Sequence, residues 1–129
     1  MPVRRKSSKA ASASGAIRRI KPGARFSTAV VHGDVVWVAG QVASSTKGGI
    51  TGQTRSVLKA LDAALKAAGT HKSKLLACTV YLSDMRHFAE YNKVWDAWVD
   101  KANMPTRATV ESRLATPDYL IEIVATAAR

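Results

Sequence analysis

The sequence predicts a two-layer α+β domain, a mostly antiparallel sheet with two helices on one face. Three observations predict it. Five short β-branched runs are bounded by turn residues. Two longer stretches carry apolar residues at helical spacing. Their order, β-β-α-β-α-β-β, puts two helices beside about five strands, the pattern of a helix-on-sheet architecture. A chain of 129 residues suits one domain around one core.

The first element is a hairpin. FSTAVV and VVWVAGQVA flank His32-Gly33-Asp34, and Gly33-Asp34 supplies the turn chemistry. Ser44 to Gly52 reads as a polar loop. A helix is expected from about Gln53 to Ala68, because Val57, Leu58, Leu61, Ala64, Leu65 and Ala68 fall on one stripe. Gly69 stands where a left-handed C-terminal cap is wanted. LLACTVYL, Leu75 to Leu82, has few polar residues and reads as a strand covered on both faces. Ser83 or Asp84 is placed to cap a second helix. That helix is expected from about Met85 to Lys101, with Phe88, Tyr91, Val94, Trp95, Trp98 and Val99 facing inward. Its tryptophans read as core mass rather than as a cofactor-stacking site. Pro105 ends it and leaves the next residues extended. PTRATVE then alternates, with Arg107, Thr109 and Glu111 on one face and Ala108 and Val110 on the other. Ala115 to Asp118 is a turn. Tyr119 to Ala127 is the last strand, interrupted by Glu122 and Thr126. A lone carboxylate on such a strand needs a partner, and Arg107 and Arg113 are the candidates.

VVWVA and LIEIVATA are apolar on both sides. One sheet face takes the helices, so the other needs cover from another subunit. A closed oligomer is therefore expected.

Composition bounds the chemistry. Hydrophobic residues make up 47% and charged residues 22%, ordinary for a globular domain. No apolar run nears the roughly 18 residues of a membrane span. One cysteine, Cys78, excludes an internal disulfide and a multi-cysteine zinc site, and it reads as an inert core thiol. His32, His71 and His87 fall in no metal-ligand spacing, so no metal is expected. No secretory signal is present, and a cytoplasmic setting is the expectation. The net charge of +11 is concentrated at one end. The first 25 residues hold 8 basic residues and no acid, and the rest holds 12 basic and 9 acidic. Residues 1–20 read as a disordered basic tail, and 21–129 as the domain. The tail suits weak, non-specific nucleic-acid contact through residues 1–21 by counterion release. It carries no aromatic residues for base stacking.

An arginine opening a strand, as Arg107 does, has two readings. One is a solvated strand end or a salt bridge with Glu111. The other is an anion clamp, since a planar guanidinium fits a carboxylate with paired donors.

VVWVAGQVA, SVLKALDAALKAAGT, CTVYLSDMRHFAEYNKVWDAWV and PTRATVESRLATPDYLIEIVATAA occur in this order. The AGQ, the YLSDM, the Asn of EYNKVW and the P-x-R are the most specific pieces. Over about residues 20–128 the chain resembles the Rid family, also called the YjgF/YER057c/UK114 family. The resemblance implies a chorismate-mutase-like α+β fold, a homotrimer and clefts between subunits. It implies a cofactor-free hydrolytic deaminase that turns reactive enamines and imines into 2-keto acid and ammonia. Arg107 would bind the carboxylate of the small metabolite and act as the catalytic residue. Ala108 and Thr109 would offer backbone partners, and Asn92 would lie near the cleft. The chain departs from the deaminase branch at four places. Phe26 stands for a tyrosine, Ala39 for a serine, Thr109 for a cysteine and Val124 for the glutamate that handles water. WDAWV and PDYLIEI look closer to a second branch that keeps the arginine. Two other functions stay open: a trimeric binding module for small carboxylates, and RNA contact through the tail.

Overall fold

Residues 15–129 are described by a computed structural model, in which six strands form one sheet ordered β1-β2-β3-β6-β4-β5. The strands are β1 (Ile17–Pro22), β2 (Ser27–His32), β3 (Val35–Val42), β4 (Leu75–Leu82), β5 (Thr106–Glu111) and β6 (Ile121–Ala128). Two helices, α1 (Gly49–Ala67) and α2 (Phe88–Trp98), complete the domain. All strand pairs are antiparallel except β4 with β5, which α2 joins. The expected α+β class and the two-layer arrangement are as the sequence reading has them.

One face of the sheet carries the core. Val36, Val38, Val80, Ile121 and Ile123 pack from the strands against Val57, Leu58, Leu61 and Leu65 of α1, and all are nearly or wholly inaccessible. Strand residues of the same parity lie on this face, as pleating requires. Leu61→Ala removes a fully buried side chain from the middle of that contact. It should lower stability by about 2–5 kcal/mol, transfer plus cavity, read as a fall in the urea midpoint.

Local chemistry sets the ends of α1. At its C-terminus, Gly69 has φ +83°, its N–H donates to Lys66 O, and the N–H of Thr70 donates to Leu65 O. This is the paired 5→2 and 6→1 arrangement that closes a helix on a left-handed glycine. At its N-terminus the helix begins at Gly49, four residues before the expected Gln53. Gln53 is instead fully buried. Its amide donates to Thr46 O at 3.0 Å and Asp118 O at 2.9 Å, and its Oε1 accepts from Leu120 N at 2.9 Å. One side chain thus ties the loop before α1 to the segment before β6. The second helix is shorter than expected. Asp84 caps a 3₁₀ turn at Met85–His87 by accepting from Arg86 N, and α2 proper ends at Trp98.

Two further corrections concern the strands. The domain boundary expected at residue 21 cuts through β1, which starts at Ile17 inside the stretch read as tail. Its isoleucines, three residues apart, do not alternate. It is held by backbone pairing to β2 (Arg18 opposite Val31, Ile20 opposite Ala29), and its arginines suit an exposed edge. The remainder of the expected tail, residues 1–14, lies outside the described residues. The strand at Leu75–Leu82 is covered on one face only, since Leu76 is 48% exposed.

The face away from the helices presents Trp37, 47% exposed, together with Leu76 and the half-buried Val30, Val35 and Val124. No element of the described residues covers it. Among those residues no helix is long and apolar enough to cross a membrane.

Candidate functional site

Arg107 lies on β5, the edge strand of the sheet. Its register partner on β4 is Cys78, a core residue, so Arg107 points to the helix face. There α2 receives it. Its Nη1 donates to Asn92 Oδ1 at 2.9 Å. Its guanidinium carbon sits 5.0 Å from the ring centre of Tyr91 and 5.1 Å from that of Trp95. Asn92 thus holds the guanidinium's direction while two aromatic faces hold its position, each worth about 0.5–2 kcal/mol. Tyr91 is itself anchored, its hydroxyl 2.7 Å from Thr109 Oγ1. Burial raises the Tyr91 phenol above its ordinary range, opposed by the Thr109 hydrogen bond and the Arg107 charge.

No carboxylate of the described residues forms an ion pair with Arg107. The ion pair among them is Arg86 with Asp84. The alternative of a salt bridge with Glu111 is not seen: Glu111 Oε1 accepts from Met85 N at 2.8 Å. A half-buried cation with one of its five N–H donors on an amide oxygen is preset for an anion. Because β5 is an edge, the backbone groups of alternate residues point outward unpaired. Ser112 N donates to Leu82 O, so Ala108, of the same parity, turns its groups to β4, and Arg107 and Thr109 present theirs at the open edge. Cys78 faces the core behind this arginine. Burial pushes its thiol up to about 11, partly offset by Arg107, so it stays protonated and unreactive near neutral pH.

The other expected site residues lie elsewhere. Ala39 is on β3, where the register to β6 shifts between Val38 and Gln41, so Ala39 and Gly40 form a bulge opposite Val124. Val124 pairs with Thr79, and Thr79 with Ala108, on the face away from the helices. Phe26 stands 69% exposed at the β1–β2 turn, where Gly23 N donates to Phe26 O. Arg107, Thr109 and Asn92 therefore form one cluster. Ala39 and Val124 form another on the opposite face.

The second cluster contains a residue assigned otherwise from sequence. Glu122 leans over Gly40, where an added Cβ would collide with Glu122 Oε2. Its carboxylate makes no ion pair among the described residues, so the expected pairing with Arg107 or Arg113 does not occur. Arg107 is on the other face, three residues and two strands away by register. That is about 14 Å in the sheet plane, from a rise of about 3.3 Å and a strand spacing of about 4.8 Å. Glu122, Val124 and Tyr81 line a depression of about 280 Å³. The carboxylate of this face is thus Glu122 and not a residue at position 124. The glycine of the AGQ stretch, opposite a strand acid, is the sequence signal for it.

Comparison with known proteins bears on the whole domain. Residues 16–129 match the family model described as Endoribonuclease L-PSP. A RutC family protein of Haemophilus influenzae is 41% identical over 109 residues, covering 84% of this chain and 94% of its own. The RutC family protein YoaB of Escherichia coli is 38% identical over 112 residues, covering 87% and 97%. The crystal structure of a YjgF-family protein from Neisseria meningitidis superposes with a TM-score of 0.86 at 38% identity, covering 88% of this chain and 95% of that one. With a matching model across the whole described domain and relatives of this similarity, the chain belongs to the YjgF/Rid family.

Proposed function

We propose that this protein is a hydrolytic deaminase of small 2-imino acids, working without a cofactor in a cleft between copies of the chain. The observation that carries the reading is the Arg107 cluster, an unmatched guanidinium held by Asn92, Tyr91 and Trp95. The same geometry supports an assembly. Arg107 and Glu122 face opposite ways in one chain and lie too far apart to share a ligand of a few atoms. A neighbouring copy seated on the uncovered sheet face brings one cluster against the other. A closed ring of three such copies gives each cleft one arginine and one glutamate, and it buries Trp37.

In that cleft Arg107 takes the substrate carboxylate in two parallel charge-assisted hydrogen bonds. The free edge of β5 at Arg107 and Thr109 adds backbone contacts. Water adds to the carbon of the protonated imine while Glu122 accepts its proton, giving a neutral carbinolamine. Glu122 then returns that proton to the nitrogen. The C–N bond breaks as the hydroxyl oxygen becomes the carbonyl and gives its proton back to Glu122, and ammonia and a 2-keto acid leave.

A second reading is a binding module for small carboxylates. It is favoured by the apolar Val124, Ala39 and Phe26, where the deaminase branch has polar groups. One experiment separates the two. An amino-acid oxidase generates an imine, semicarbazide traps it, and the protein competes. Suppressed trapping with faster keto acid formation supports the deaminase. Unchanged trapping, together with saturable binding of 2-keto acids in calorimetry, supports the binding module.

A further inference from the structure

Arg113 follows β5 and is used by none of the contacts above. It lines two depressions. One, of about 280 Å³, it shares with Glu122, Tyr81 and Ser112. The other, of about 390 Å³, it shares with Ser83, Thr116 and Tyr119. No carboxylate of the described residues lies within ion-pair distance of it, Glu122 included.

The segment that carries Arg113 is held at both ends. Ser112 N donates to Leu82 O at 2.9 Å and Ser83 N to Leu120 O at 3.0 Å. The buried Gln53 grips Asp118 O and Leu120 N. The exposed Arg113 thus stands on a fixed backbone at a depression that it lines together with Glu122, Tyr81 and Ser112.

We infer that Arg113 is a specificity residue, and that the preferred substrates are imines of dicarboxylic amino acids. This rests on the deaminase reading. Arg107 takes the carboxylate next to the imine carbon, and Arg113 takes the one at the end of the substrate side chain. An aliphatic side chain placed in the same depression would desolvate Arg113 without matching its charge, and such a mismatch costs binding. A second carboxylate matches it with a charge-assisted pair, and Tyr81 and Ser112 add hydroxyls.

The test compares two imines in the trapping assay. One comes from aspartate and an amino-acid oxidase that accepts it, the other from a neutral amino acid such as leucine. Wild type should show kcat/KM at least tenfold higher for the dicarboxylic imine. Arg113→Gln should reduce that ratio by about 10- to 100-fold, the loss of one charge-assisted hydrogen bond. Arg113→Lys should restore part of it. Calorimetry on the wild type gives a readout that does not depend on a variant folding. Oxaloacetate should bind more tightly than 2-ketobutyrate, with a difference that shrinks as salt rises. Hydrolysis of the neutral imine with no preference for the dicarboxylic one would overturn the inference and leave the deaminase reading standing. So would an unchanged ratio in an Arg113→Gln protein whose oligomer weakens, which would make Arg113 a contact between copies. Hydrolysis of neither imine would overturn both.

Discussion

Arg107→Ala is expected to lower kcat/KM on a 2-imino acid by about 10²- to 10⁴-fold, the loss of two charge-assisted hydrogen bonds to a carboxylate. The fold should survive. Arg107 sits on an edge strand, half-buried, and its neighbours Tyr91 and Trp95 are anchored independently by the Thr109 hydroxyl and by the core. A thermal melt within a few degrees of wild type, with the oligomer intact, confirms that the loss is local. Arg107→Lys should recover only a fraction of the activity. Lysine keeps the charge but has no planar fork, and it loses the Asn92 geometry. A lysine variant with full activity would mean that charge alone is read, and the clamp would be disproved. Binding should follow the same order when a 2-keto acid is titrated into the three proteins.

The arginine was legible because a strand that opens on a cation is unusual and the surrounding P-x-R carries a family resemblance. Its platform was not. Tyr91 and Trp95 fall on the inner stripe of α2 with Val94 and Trp98, and helical periodicity cannot say that two of these rings end beneath an edge-strand arginine. That depends on β5 lying parallel to β4, which is a tertiary fact. Glu122 was misassigned for a related reason. Strand parity puts it on the face of Val124, yet its partner in space, Gly40, is reached only through the bulge in β3. The hairpin at Gly33 and the cap at Gly69 were readable because a positive φ is a local demand that glycine meets. β1 was not, since backbone pairing and the core contact of Ile20 hold it and half of its side chains are basic. The start of α1 was hidden by Gly48, Gly49 and Gly52, which read as loop residues although the helix runs through two of them.

Glu122→Gln tests the other half of the cleft, and here the expectation is a fall in kcat of about 10²- to 10⁴-fold, the usual worth of a general base. KM should change little, because the carboxylate anchor sits on Arg107. That split distinguishes the two residues, since Arg107→Ala must raise KM as well. Gly40→Ala gives an independent check without touching the acid. An alanine Cβ would collide with Glu122 Oε2. The atom displaced is the far end of a flexible side chain, so the sheet need not move, but the carboxylate must. Gly40→Ala should therefore fold and assemble while losing much of the activity that Glu122→Gln loses. Combining the two should cost little more than Glu122→Gln alone, because both remove one carboxylate from one position. Full additivity would mean that Gly40 matters for another reason, such as backbone access to the ligand. Full activity in Glu122→Gln would leave proton transfer to the carbonyl groups of the β5 edge or to a bound water, and the apolar Val124 and Ala39 would then mark a cleft that works by positioning alone.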